Sequence, residues 1–234
     1  MTDLETNRSG LIEKTGLKET SRTERVPVIF EILKQTYPLR PDKLNYTNPY
    51  TLLVATILSS KIGNKRTNMI TEELFKKVDN PKKMISIGST RLQSYIKNIN
   101  SCRNKAKYIL KLSRILVNKY NSQVPLDRDL LESFQGIGRK GANAIMNELC
   151  GTTYITVDIH VKRCAHRLEL ISKRATSTIA VEQDLYKNVP TELHAVVGDL
   201  LMLHGKFVCK ALEPQCNTCP LRDYCPFVQY SLCA

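Results

Sequence analysis

Four cysteines near the carboxy-terminal end, Cys209, Cys216, Cys219 and Cys225, follow the spacing C-x6-C-x2-C-x5-C. Four thiolates within seventeen residues can close a cage around metal. Zn²⁺ would accept the four sulfurs in a tetrahedron. A [4Fe–4S] cluster would accept one thiolate per iron, and spacing alone does not separate the two. Cys102, Cys150, Cys164 and Cys233 are scattered and read as structural or incidental. The opening MTDLETNRSG has no charged-then-apolar leader pattern, so a reducing intracellular compartment is expected. There a tight quartet points to metal rather than to disulfides.

A second constellation lies in Leu131–Ala142, where Gly136-Ile137-Gly138 interrupts two helical patterns. Two glycines allow a tight turn and close approach of a ligand to the backbone. The first N–H groups of the second helix have no intrahelical partner, and with the positive end of the helix dipole they form a phosphate site. Such a site grips nucleic acid by its backbone and reads no sequence. Arg139 and Lys140 follow directly and, by their chemistry alone, read as phosphate contacts. Asp158, in Val157-Asp158-Ile159-His160, precedes a helical run and reads on spacing as an N-cap.

The charge balance agrees with a polyanionic partner. The 234 residues carry 35 Lys plus Arg against 22 Asp plus Glu, a net charge of +13. No acid occurs between Asp79 and Asp127, a stretch that holds ten bases from Lys82 to Lys119. A face so one-sided repels itself unless phosphates sit against it, with an affinity sensitive to salt. No apolar run approaches the ~20 residues that a membrane helix needs.

The elements that must position these residues are helical. Residues 1–25 are polar with mixed charge and read as a flexible tail. From Val26, Ile29, Phe30, Leu33 and Tyr37 share one face, and Pro38 follows as a stop. Asn48-Pro49 opens the run TLLVATIL, apolar nearly all round and therefore deeply buried. Weaker helical patterns cover about 65–77, 81–87 and 90–98. Residues 105–119 repeat Ile109, Leu112 and Leu116 opposite a basic face, and Asp127 can cap a helix with Leu130, Leu131 and Phe134. Ala142, Ile145, Met146 and Leu149 are spaced i, i+3, i+4, i+7 before Gly151. Tyr154–Val157 is the one strand-like run, too little for a sheet; further helices are expected around 161–168, 178–187 and 191–203. The class is all-α.

The segment FQGIGRKGANAIMNELCGTTYITVDIHVKRCAHRL resembles the helix-hairpin-helix and aspartate segment of the endonuclease III family of DNA glycosylases. CKALEPQCNTCPLRDYC is similar to that family's iron–sulfur cluster loop, and the likeness extends from about Val26 to Phe227. The resemblance implies a six-helix lobe over residues 40–151 and a second lobe from 26–39 plus 152–234. It also implies a [4Fe–4S] cluster on the 209–225 loop, and double-stranded DNA as partner with the target nucleotide flipped out. The chain is then a bifunctional base-excision repair enzyme, an N-glycosylase for oxidised pyrimidines and an abasic-site lyase. Lys140 matches the catalytic lysine, whose neutral amine attacks C1′; the helix terminus and Arg139 both disfavour its charged form. Asp158 matches the essential aspartate, suited to taking a proton from Lys140 and to stabilising positive charge on the sugar. Gly136, Gly138, Arg139, Lys61 and His160 are the expected DNA contacts. A monomer is expected, in a bacterial cytoplasm, or in nucleus and mitochondrion if the host is eukaryotic.

The family pattern is not matched everywhere. Phe134-Gln135-Gly136 stands for the usual Leu-Pro-Gly, and Gly141 for Thr. Lys61 stands where relatives carry the Gln that fills the gap left by the flipped base, and Asn64 where they carry Asp. Ser101 replaces a bulky apolar wedge, and Lys210–Gln215 is less basic than usual. Lys61 could reach into the gap or be a plain surface residue. These departures keep open a catalytically lapsed damage-binding homologue; a monofunctional glycosylase is opposed by Lys140.

Overall fold

A computed structural model describes residues 21–37 and 43–228. Among them the chain is all-α, with ten α-helices, a few 3-10 turns and no strand. Two compact units are present, Arg40–Tyr154 and the two flanks together, Met1–Leu39 with Ile155–Ala234.

In the Arg40–Tyr154 unit the core forms around α2, Pro49–Ser59. The Asn48 side chain accepts the Thr51 N–H at 3.0 Å, and Thr51 Oγ1 accepts the Asn48 N–H at 3.0 Å. Pro49 fills the first helical position, where a missing N–H does no harm. Tyr50–Ala55, Ile57 and Leu58 are all buried, as expected of a helix apolar all round. Around it lie α3 (Asn64–Lys77), α4 (Pro81–Tyr95), α5 (Cys102–Lys119), α6 (Arg128–Ser133) and α7 (Arg139–Cys150). Gly88, at φ 70°, kinks α4 into two pieces, which accounts for the two separate sequence patterns there. Asp127 caps α6, its Oδ1 accepting the Leu130 N–H at 2.8 Å. After α7, Asn147 binds both backbone groups of Tyr154, donating to its carbonyl at 2.7 Å and accepting its N–H at 2.8 Å. The strand-like run is thus extended chain held by a side chain, not by a sheet.

The flanking unit contains α1 (Arg22–Thr36), α8 (Ile159–Arg167), α9 (Thr178–Asn188) and α10 (His194–Phe207), followed by the cysteine loop. Helix α1 starts four residues before the periodicity suggests. Ser21 caps it and Glu24 returns the bond to the Ser21 N–H at 2.8 Å. Residues 22–25 therefore belong to a helix rather than to the tail expected over 1–25. Arg25 is buried and donates to the Tyr224 carbonyl at 3.1 Å. The tail before Ser21 lies outside the described residues, as does Cys233.

Helix α10 approaches its neighbours through two glycines on one face, two turns apart. A Cβ on Gly198 would stand 2.7 Å from the Thr156 carbonyl oxygen, and one on Gly205 2.9 Å from His160 Cβ. This closeness presses α10 against the segment that carries Asp158 and His160. Ala is a better helix former than Gly by about 1 kcal/mol, so any net loss in a Gly198→Ala variant reports the clash. Backbone at that distance must shift, and overpacking of this kind costs about 1–3 kcal/mol. The expected outcome is a lower midpoint in denaturant unfolding at unchanged slope; a midpoint equal to or above the parent's would mean the contact has slack.

Candidate functional site

The hairpin places its two glycines for different reasons. Gly136 has φ 94°, and a Cβ there would meet Tyr108 at 3.1 Å and Ile57 at 3.2 Å. Backbone angle and packing both demand glycine. Gly138 has ordinary extended angles and nothing within 4 Å of where a Cβ would be. It is the N-cap of α7, exposed, with no side-chain hydrogen bond to the helix start. The α7 terminus therefore opens onto space that a phosphate can enter.

Lys140, second residue of α7, is exposed beside that opening. Arg139 is engaged within the hairpin itself. It donates to Glu132 at 3.2 Å and stands 3.8 Å from Asp129, clasping α6 to α7. These carboxylates offset its charge. Glu132 had no signal in the sequence beyond the ordinary acid of a capped helix. Gln135, in place of the usual proline, accepts from Lys111 at 3.2 Å. Gly141 faces Thr56 of α2 at 3.1 Å from an added Cβ, which explains the absence of a larger residue there.

Lys61 and Ser101 belong to the same unit and are both exposed. Each is left-handed, at φ 69° and φ 59°. Of the ten bases between Asp79 and Asp127, all but Lys105 are exposed, so the one-sided charge is at the surface.

Asp158 lies in the flanking unit and caps α8. One oxygen, Oδ1, accepts the N–H groups of His160 and Val161, each at 2.9 Å. His160 Nδ1 is 3.0 Å from Arg163 Nη2. A guanidinium can only donate, so Nδ1 accepts and the ring proton is on Nε2. Arg163 also donates to the carbonyls of Gly205 at 2.8 Å and Cys209 at 2.9 Å. His160 is thereby tied to the cysteine loop, a structural role beside any contact with DNA.

The four cysteines form no disulfide among the described residues and share one loop with two 3-10 turns, Cys216–Thr218 and Arg222–Tyr224. Arg167 donates to Cys209 Sγ at 3.3 Å and to the Ala211 carbonyl at 3.1 Å, with its guanidinium 4.3 Å over the Phe227 ring. A hydrogen bond from the buried Cys164 thiol, with Arg167 beside it, pulls the Cys209 thiol down to about 6 and pushes Cys164 up. Burial pushes Cys219 up to about 11 and Cys225 up to about 12. Such thiols lose their protons when a cationic centre binds them, and Arg163 and Arg167 suit the anionic charge that four thiolates bring. His204, its ring pushed down to about 4 by burial, accepts or donates at Tyr37 Oη (3.2 Å) and stands 3.8 Å from Cys219 Sγ. Among the described residues no three of His, Cys, Asp and Glu converge on one point as a single ion requires. The sequence missed Arg163, Arg167 and Cys164, which carry no motif and read as an ordinary helix face.

Comparison with known proteins places these features. The family model described as HhH-GPD superfamily base excision DNA repair protein matches residues 54–191. The chain is 39% identical over 199 residues to the endonuclease III of Rickettsia conorii, covering 85% of this chain and 94% of the relative. It is 34% identical over 195 residues to that of Escherichia coli K12, covering 83% and 92%. The solved structure of a trapped endonuclease III–DNA covalent intermediate superposes with a TM-score of 0.82 at 32% identity, covering 91% of this chain and all of that one. A non-covalent endonuclease III–DNA complex matches with the same score and identity. A fold of helices about an open-ended hairpin, matched over most of its length at this identity, makes the chain a member of the endonuclease III family within the HhH-GPD superfamily of base excision DNA repair proteins.

Proposed function

We propose that this chain releases oxidised pyrimidines from double-stranded DNA and then cuts the strand 3′ to the abasic site, with Lys140 as nucleophile and Asp158 as the assisting carboxylate. The observation that carries the reading is the exposed Lys140 in the first turn of a helix whose N-terminus is uncapped and open at Gly138. Backbone N–H groups there hold the phosphate, and Lys140 stands within the same turn. Its neutral amine forms an N–C1′ bond as the bond from C1′ to the base breaks; the departing base gains a proton. Ring opening yields an imine, which acidifies the C2′ hydrogens. Loss of one of them expels the 3′ phosphate, and water then frees the lysine. Asp158 receives the lysine proton or stabilises charge on the sugar as the base departs.

Cys209, Cys216, Cys219 and Cys225 would hold a [4Fe–4S] cluster. Its contribution is to staple the loop, with no part in bond cleavage. Arg163 and Arg167 fix that loop to α8 whether or not it faces DNA. No helix among the described residues is long and apolar enough to cross a membrane; the likeness to bacterial endonuclease III proteins supports an intracellular site of action.

Incubation with abasic DNA and borohydride is expected to join protein and DNA covalently. Lys140→Gln should abolish both cross-link and strand cleavage while DNA binding survives. Asp158→Asn keeps a capping oxygen and removes the charge. It should slow base excision far more than cleavage of a pre-formed abasic site. A lapsed enzyme would give no cross-link in the parent, and a monofunctional one would release base with little cross-link. If Lys140→Gln cross-links as well as the parent, another amine is attacking.

Binding to undamaged duplex should weaken steeply with salt, each phosphate contact adding about 0.9 to the log–log slope. A flat response would remove the basic stretch from the DNA face. Metal analysis of the purified protein should return four irons per chain and a yellow-brown colour; one zinc and a colourless sample would overturn the cluster.

A further inference from the structure

Lys105 is the one buried base of the acid-free stretch, with 7% of its surface exposed. A buried ammonium is costly unless its protons are used. No carboxylate ion pair to it is found among the described residues, and the charge acting most on it is the like charge of Lys61. Its partners are instead two backbone carbonyls, Leu58 and Ser60, each at 2.7 Å. These belong to the end of α2, where carbonyls lack helical partners and the dipole is negative. Its own backbone N–H donates to the Ser101 carbonyl at 3.0 Å. That backbone bond is the ordinary first one of α5, so it is the side chain that ties the chain just before Lys61 to the helix start at Ser101. Arg66, donating to the Asn98 carbonyl at 3.0 Å, adds a second strut between the same two loops.

Each loop carries an exposed left-handed non-glycine residue, Lys61 in the first and Ser101 at the end of the second. A non-glycine residue in that region costs about 1–3 kcal/mol and persists where its surroundings over-determine it. The Lys105 tie is part of those surroundings for both. We propose that Lys105 is a positioning residue that locks Lys61 and Ser101 into one rigid two-pronged tip, which enters the stack in place of the extruded nucleotide. The inference rests on the function proposed above. Extrusion requires unpairing and unstacking at a cost of a few kcal/mol. A tip already ordered loses little conformational entropy on insertion, whereas a loose one must be ordered at that step.

The test uses the full-length protein with Lys105→Met, which keeps the apolar stem and removes the ammonium. Two rates are read from one sample, excision of an oxidised pyrimidine from duplex and cleavage of a pre-formed abasic site in single-stranded DNA. The second needs no extrusion, and the folded fraction cancels in the ratio. The duplex-to-single-strand ratio is expected to fall at least tenfold, with loss of the fluorescence rise from a 2-aminopurine placed beside the lesion. A ratio within threefold of the parent's, whether both rates stay or both fall together, overturns the proposal. Should Lys105→Met not fold, Lys105→Gln, which can still donate to one carbonyl, decides on the same ratio and the same limit. A parent without cross-linking or cleavage would instead overturn the function itself, and this inference with it.

Discussion

Helix α2 has no face to give to water, and burying it is the constraint on which the Arg40–Tyr154 unit depends. Eight of its eleven residues are buried, and each large apolar side chain so placed is worth about 1.5–3 kcal/mol. The functional features are registered against this one rod. Ile57 stands under Gly136 and sets how tightly the hairpin turns; Thr56 stands under Gly141 and sets how closely α7 approaches. The carbonyl end of the rod receives Lys105 and releases the chain into Lys61. The hairpin that carries Lys140 and the Lys61 loop therefore both take their positions from the last turn of the same buried element. A change in the α2 core would be felt at both without touching either.

The cations fall into two populations with different work. Arg25, Lys105, Arg163 and Arg167 donate to backbone carbonyls, and Arg139 clasps a carboxylate across the hairpin. These charges are absorbed by the fold. The remaining bases of the 80–126 stretch are exposed, with no acid among them in sequence to neutralise them. Net charge alone overstates what is offered to a phosphate backbone, yet what remains is concentrated on one run of chain. That concentration, rather than the total, suits a polyanion held by its backbone.

Local signals in the sequence were the legible ones. Asn48-Pro49, Asp127, Asp158 and Gly151 mark helix ends by chemistry that needs only a few neighbouring residues, and the structure uses each of them so. The all-round apolar run of α2 announced its own burial. What stayed hidden depends on residues far apart in sequence. Lys105 looked like one more base on an amphipathic helix, because its partners lie 45 and 47 positions away. Nothing in the sequence showed that Arg139 pairs with Glu132. Cys164 read as structural or incidental, with nothing in the sequence to show that it lies against Cys209. The start of α1 was obscured because Arg22–Arg25 have the polar composition of a tail; a capping box and a buried Arg25 outweigh that composition.

Asp158 shows why a structural and a chemical role need not compete. A carboxylate offers two oxygens and about four lone-pair sites, and the cap uses Oδ1 for both of its N–H bonds. Two bonds to adjacent peptides fix the side chain's direction far better than one would. A group meant to meet a developing charge benefits from that, since a fixed carboxylate needs no reorganisation as the charge appears. The helix start thus supplies the orientation, and the close approach of α10 through Gly198 and Gly205 supplies the rigidity of the chain on either side. Under the proposed function, capping is the means by which an aspartate at this position is made ready for chemistry, and the two readings of the sequence describe one arrangement.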